Sequence, residues 1–220
     1  MSFLFSNTVL SWGVLWAQPL LVMAFALLFM RVMGRRADAL VEVSIRLVRF
    51  MDRISVAIIE AAKWLAPIMA LTVAALVITR YVFGISAIKP QESVIYMHAL
   101  LFLLAAPATL LTNGHVRVDI YYAKLSEQGQ AIVDLLGASF LLIPVSILIF
   151  KYGGSYAARA WIFHEGSAEA NGLQAVYLLK TAIPVFAALM MAQGSAMALR
   201  AALCLYGAPM PAPQSVEEHV

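Results

Sequence analysis

The sequence predicts an all-α integral membrane protein: a four-span core bundle with an amphipathic interfacial helix and an extra N-terminal span. Three observations carry this. Hydrophobic residues make up 63% of the 220 and charged residues 12%, with a mean hydropathy of +0.86. Soluble globular chains run at roughly 45–50% apolar and 25% charged, so too little polar material is present to coat a water-soluble particle. The apolar residues gather into five runs, each near the ~20 residues that cross a hydrocarbon core as a helix. None of these runs alternates over about ten residues as a barrel strand would. Disordered, fibrous and ordinary cytosolic enzyme classes are excluded, and the length predicts no extramembrane catalytic domain.

Each element has its own justification. Trp12 to Met30 is uncharged and 19 residues long, and Arg31, Arg35 and Arg36 follow it. With no basic stretch before it and no cleavage site after it, residues 1–37 read as a retained apolar helix and basic linker rather than a secretion signal. In residues 38–53 and just after, Leu40, Val43, Leu47, Met51 and Ile54 recur at helical spacing, while Glu42, Arg46, Arg49 and Arg53 fall largely on another side. That pattern predicts an interfacial helix with arginines reaching lipid phosphates.

Four spans follow, at about 61–83, 92–112, 130–151 and 178–204, and residues 205–220 form a polar tail. The 92–112 span contains His98, the 130–151 span contains Asp134 near its start, and the apolar run of the last stops at Arg200. Pro19, Pro67, Pro107, Pro144 and Pro184 place one proline in or near each run. Each proline frees an upstream carbonyl that neighbouring helices or hydroxyls must meet in a bilayer, which favours a packed bundle.

Lysines and arginines set the orientation. Seven of the fifteen lie between Arg31 and Lys63, and Arg117, Lys124 and Arg200 share their side. Arg80, Lys89, Lys151, Arg159 and Lys180 lie on the other. Ten against five predicts a cytoplasmic first group and a cytoplasmic C-terminus. The net charge of +3 is too small to argue for nucleic acid, and the single Cys204 allows no internal disulfide.

Groups with potential chemistry are few. His98 and His115 invite a second reading, a membrane anchor subunit of a redox enzyme complex with those two as haem ligands. Only His98 is well inside a span, so a polar contact within the bundle is the expected role for it. Arg80 ends one span and Glu92 opens the next, which predicts an outer ion pair between them. Ala66, Ala70 and Ala74, and likewise Ala188, Ala192 and Ala196, fall at i, i+4 and i+8 and are candidate helix-packing faces. Internal repeats of the kind expected in a self-contained transporter are not evident.

The segment Asn113-Gly114-His115-Val116-Arg117-Val118-Asp119-Ile120 follows the third apolar run. It resembles the hallmark of the small membrane subunit of tripartite ATP-independent periplasmic (TRAP) transporters, with Gly114, His115, Arg117 and Asp119 as the motif. Arg80-Tyr81-Val82-Phe83-Gly84, Gln91-Glu92, Glu165-Gly166-Ser167 and Lys180-Thr181-Ala182-Ile183-Pro184 match the family's order. The likeness covers roughly Leu47 to Leu203 and is nearest the mannitol/chloroaromatic-type subgroup. The chain departs from the family pattern at Gln174, where Gly-Leu-Pro is expected, and in the extra N-terminal run.

The resemblance implies a scaffold subunit that is no enzyme and carries no cofactor. Its partners would be a large membrane subunit, a periplasmic solute-binding protein and membrane lipid, in a bacterial inner membrane. The large subunit would use the sodium gradient to import an organic acid or related small solute. If the segment after Gly114 is helical, His115 and Asp119 share a face, and Arg117 with Asp119 would pin a surface helix to the scaffold.

Overall fold

The computed structural model describes residues 20–31, 38–115 and 119–208. In order, the elements are α1 (Leu20–Arg31), α2 (Asp38–Ala62), α3 (Leu65–Phe83), α4 (Ile88–Leu111), α5 (Asp119–Tyr122), α6 (Glu127–Gly137), a π-helical turn (Ala138–Leu142), α7 (Ile143–Ile162) and α8 (Val176–Tyr206). No strand occurs among the described residues. Four helical stretches are long and apolar enough to cross a membrane: Asp38–Phe83, Ile88–Leu111, Glu127–Ile162 and Val176–Tyr206. The all-α membrane class holds.

The expected N-terminal span begins at Trp12, outside the described residues. Its described part, α1, buries Ala24 and Leu27 completely in a core that includes Val48 of α2 and Leu199 and Leu203 of α8. The polar tail beyond Ala208 also lies outside the described residues.

Helix α2 runs nine residues past the expected end at Arg53, and a turn at Lys63 and Trp64 separates it from α3. Its inward face is not the apolar stripe read from the sequence. Val43 and Ile54 are exposed, whereas Ser44, Val48, Asp52, Ser55 and Val56 are buried. At 100° per residue these sets lie roughly a third of a turn apart. The helix therefore has three faces: one charged, one apolar and only partly covered, with Leu40 and Met51 against the core and Val43 and Ile54 exposed, and one partly polar that packs on the bundle.

Helix α8 is the hub, packing against α2, α4, α6, the π-helical turn and α7. Small residues let its neighbours approach. A Cβ on Gly153 of α7 would come within 2.7 Å of Ile183 Cγ2, and one on Gly194 within 2.8 Å of Leu142 Cδ2. The π-helical turn lies at this second approach. Pro144 follows it and has no N–H to offer Phe140, and the Ile143 N–H bonds back to the Ala138 carbonyl. Ser146 Oγ donates to the Leu142 carbonyl at 2.7 Å, an i−4 bond within the helix and not a partner for the Phe140 carbonyl that Pro144 frees. The third span extends to Ile162 rather than stopping near Lys151, and Gly153 serves as a packing surface inside that extension.

Helix α3 is the outlier. None of its 19 residues is buried, and it packs chiefly on α4. It ends at Gly84, whose φ of 66° is left-handed. Helix α4 ends differently: Asn113 takes the left-handed turn, at φ 55°, and the Gly114 N–H bonds to the Thr109 carbonyl at 2.8 Å. Exposed aromatic residues mark the two ends of the bundle, with Tyr81, Phe83, Trp161 and Phe163 at one and Trp64 and Tyr121 at the other.

Candidate functional site

Two polar clusters stand out, one toward each end of the bundle. In the first, Asp52 of α2 is 1% exposed and pairs with the Arg200 guanidinium of α8, whose side chain is 13% exposed. Gln193, one and a half to two helical turns before Arg200, donates from Nε2 to Asp52 Oδ1 at 3.3 Å. Ser55 Oγ donates to Gln193 Oε1 at 2.9 Å. Lys180 and Arg200 are the only charged residues of α8. A lone arginine in such a helix needs a counter-charge, and Asp52 supplies it by leaving the charged face of its own helix. Arg200 Nε is buried without a hydrogen-bond partner among the described residues.

Beside this cluster lies the motif segment. Gly114 and His115 are exposed after the end of α4. Arg117 and the Asp119 side chain lie outside the described residues. Asp119 is the first residue of α5, a single turn, so His115 precedes the helix instead of sharing a face of it with Asp119. Other residues tie α5 to the next span. Tyr122 Oη donates to Asp134 Oδ2 at 2.9 Å, and Gln130 Nε2 donates to the Tyr122 carbonyl at 3.3 Å. Asp134, read from the sequence as an intramembrane carboxylate near a span end, thus accepts from a tyrosine hydroxyl.

The second cluster organises the loop between α7 and α8. Glu92 accepts from the Ser167 hydroxyl and, at 2.6 Å, from the Leu173 N–H. The expected Arg80–Glu92 pair is not made: Arg80 is exposed, and among the described residues no ion pair joins the two. The loop reaches Glu92 first because its backbone folds directly over the start of α4. Gly172 is buried there, and a Cβ on it would fall 2.2 Å from Ser167 Oγ and 2.7 Å from Glu92 Oε1. Gln174 lies over Gly166, where an added Cβ would meet its Oε1. Lys180 Nζ donates to Glu165 at 2.5 and 2.6 Å and sits 4.0 Å from the centre of the Tyr156 ring. Trp161 Nε1 donates to Thr181 Oγ1 at 2.8 Å. Segments spread over about ninety residues of sequence, from Gln91-Glu92 through Glu165-Gly166-Ser167 to Lys180-Thr181, thus meet in one platform.

The small-residue faces are only partly used. Ala196 is buried, Ala192 half-buried and Ala188 exposed. Each i+4 step advances 40° around a helix, so such a row drifts from the core toward the surface. Ala70 and Ala74 are exposed and Ala66 half-buried. A haem held by His98 and His115 does not fit this geometry. Thirteen residues of α4, roughly 20 Å at 1.5 Å per residue, separate His98 from the helix end that His115 follows. Among the described residues no cluster of three or more metal-ligating side chains occurs.

Comparison with known families decides what this architecture belongs to. The family model described as "Tripartite ATP-independent periplasmic transporters, DctQ component" matches residues 69–204. The chain belongs to this family. No curated protein and no solved structure matches it. The matched stretch of the DctQ component holds most of α3, the motif and the whole Glu92 platform. It leaves out α1 and α2, so the Asp52–Arg200 pair joins a helix outside the matched stretch to one within it.

Asp52, Ser55 and Tyr156 escaped sequence reasoning, as did the role of Ser167, which was read only as part of a family match. Asp52 had a signal: it is one turn from Val48 and Val56 and off the arginine face. Ser167 had none, because its role depends on a loop closing over a helix 75 residues earlier.

Proposed function

We propose that this chain is the small scaffold subunit of a sodium-coupled, binding-protein-dependent secondary transporter that imports an organic acid or related small solute. It supports the large membrane subunit, which carries the solute and sodium sites, and helps dock the periplasmic binding protein through the Glu92 platform. The observation that carries this reading is α3: a helix able to cross a membrane with no buried residue of its own. Such a helix leaves its whole surface for lipid or another membrane protein to cover, and family membership says which kind of assembly provides the second. The few charges collect at span ends, whereas a subunit that moved ions would keep them along a pathway.

On this reading the protein sits in a bacterial inner membrane with its C-terminus cytoplasmic. The apolar face of α2 lies at the cytoplasmic interface, its arginines facing lipid phosphates. Arg117 and Asp119 pin the neighbouring surface turn to the scaffold. The mannitol/chloroaromatic-type likeness leaves the solute unspecified. Reconstitution tests the reading. Uptake into proteoliposomes requires the large subunit, the binding protein and an inward sodium gradient together, and robust uptake by the chain without its companions overturns it.

A further inference from the structure

His98 was expected to make a polar contact inside the bundle, and it does not. It is exposed on α4 and has no hydrogen-bond partner among the described residues. Ten residues separate it from the start of α4, a depth of roughly 15 Å at 1.5 Å per residue and so near the middle of a bilayer core of ~30 Å. It borders an open hollow of about 660 Å³ between α3 and α4, whose other walls are Met69, Ala70, Val73, Ala74, Val94 and Ile95.

We propose that this hollow seats a transmembrane helix of the large membrane subunit, and that a hydrogen-bonding side chain of that helix pairs with His98. The inference rests on the transporter reading above and localises its main interface. A neutral imidazole carries one donor and one acceptor nitrogen. Lipid tails offer neither a donor nor an acceptor, so an imidazole facing them remains unsatisfied. Water is no better, because a stable water needs two to four polar partners and every other wall residue of the hollow is apolar. A helix that satisfies its own backbone and presents a Ser, Thr, Asn, Gln or similar side chain meets both conditions. Ala70 and Ala74 leave room for its backbone to come close. The rest of α3 offers an apolar surface for the same helix to follow.

The test uses the full complex. A photo-crosslinking residue in place of Ala74 is expected to capture the large subunit, whereas one in place of Ile68, about half a turn around α3 from the middle of the hollow's wall, captures it much less. His98→Leu is expected to lower the large subunit retained on purification roughly three- to fifteenfold, and His98→Gln to keep most of it. His98 is on the surface, so neither variant removes a core contact. Capture of a second copy of this chain from position 74, stronger capture from position 68, or undiminished retention in His98→Leu overturns the inference. Each of these results can occur with sodium- and binding-protein-dependent uptake intact, which separates a wrong interface from a wrong function.

Discussion

Asp52 and Arg200 form a buried ion pair that joins the amphipathic helix α2 to the hub helix α8. They stand 148 residues apart, and Gln193 and Ser55 extend the contact into a chain of hydrogen bonds. Breaking one side of a buried pair leaves the other charge without compensation, typically at about 3–5 kcal/mol, whereas replacing both by apolar groups is often neutral. Asp52→Leu alone is therefore expected to lower the thermal stability of the purified protein strongly, and Asp52→Leu with Arg200→Leu to recover most of it. A double variant no more stable than the single one would show that the two residues are not coupled.

Glu92 is expected to control the loop between α7 and α8. Removing its carboxylate in Glu92→Ala deprives Ser167 and the Leu173 N–H of their shared acceptor. Hydrogen exchange over residues 163–175 should then accelerate by roughly tenfold or more, with protection in α8 beyond Pro184 unchanged. Unaltered exchange at Leu173 counts against the clamp.

Two glycines in the third span predict opposite outcomes. Gly137 has open space where a Cβ would go, so Gly137→Ala is expected to stabilise by about 0.5–1 kcal/mol through helix propensity. Gly153 is buried with Ile183 Cγ2 at 2.7 Å from the added atom, and Gly153→Ala is expected to cost about 1–3 kcal/mol through overpacking. Melting curves of the two variants beside the parent decide it. Equal effects would mean that α7 and α8 approach less closely than described.

Orientation is checked by labelling single cysteines in a Cys204→Ser background, since Cys204 is the only native thiol. Ser86 and Thr112 are exposed at opposite ends of the bundle. A membrane-impermeant maleimide should label Ser86→Cys in intact cells and Thr112→Cys only after permeabilisation. The reverse pattern would overturn the ten-against-five reading of the basic residues.

Much of this protein was legible in its residues because a bilayer imposes a length and a composition on anything that crosses it. Ser93 to Leu111 had to be helical, since an apolar stretch of that length has no other way to satisfy its backbone in hydrocarbon. The scattered Glu92, Ser167 and Lys180 segments were recognisable as belonging together in order, but not as touching. Partner choice was misread where two candidates competed: Arg80 is nearer to Glu92 in sequence, yet the loop's hydroxyl and N–H take the carboxylate. The third span's length was misread because the apolar run stops at Lys151, whereas the helix continues to Ile162 with Gly153 packed against Ile183.

By itself, the sequence determined the class, the presence of four core spans, the place of the charges and the family likeness. These follow from one-dimensional quantities: run length, hydropathy and the order of short motifs. Tertiary structure alone decided which face of α2 turns inward, that Asp52 rather than solvent answers Arg200, that α8 is the hub, and that His98 is left without a partner among the described residues. Inside a membrane apolar faces do not distinguish protein from lipid, so hydrophobic periodicity loses its power to say which side packs. Close contacts at glycines and a few hydrogen bonds settle that choice, and both depend on helices brought together from distant parts of the chain.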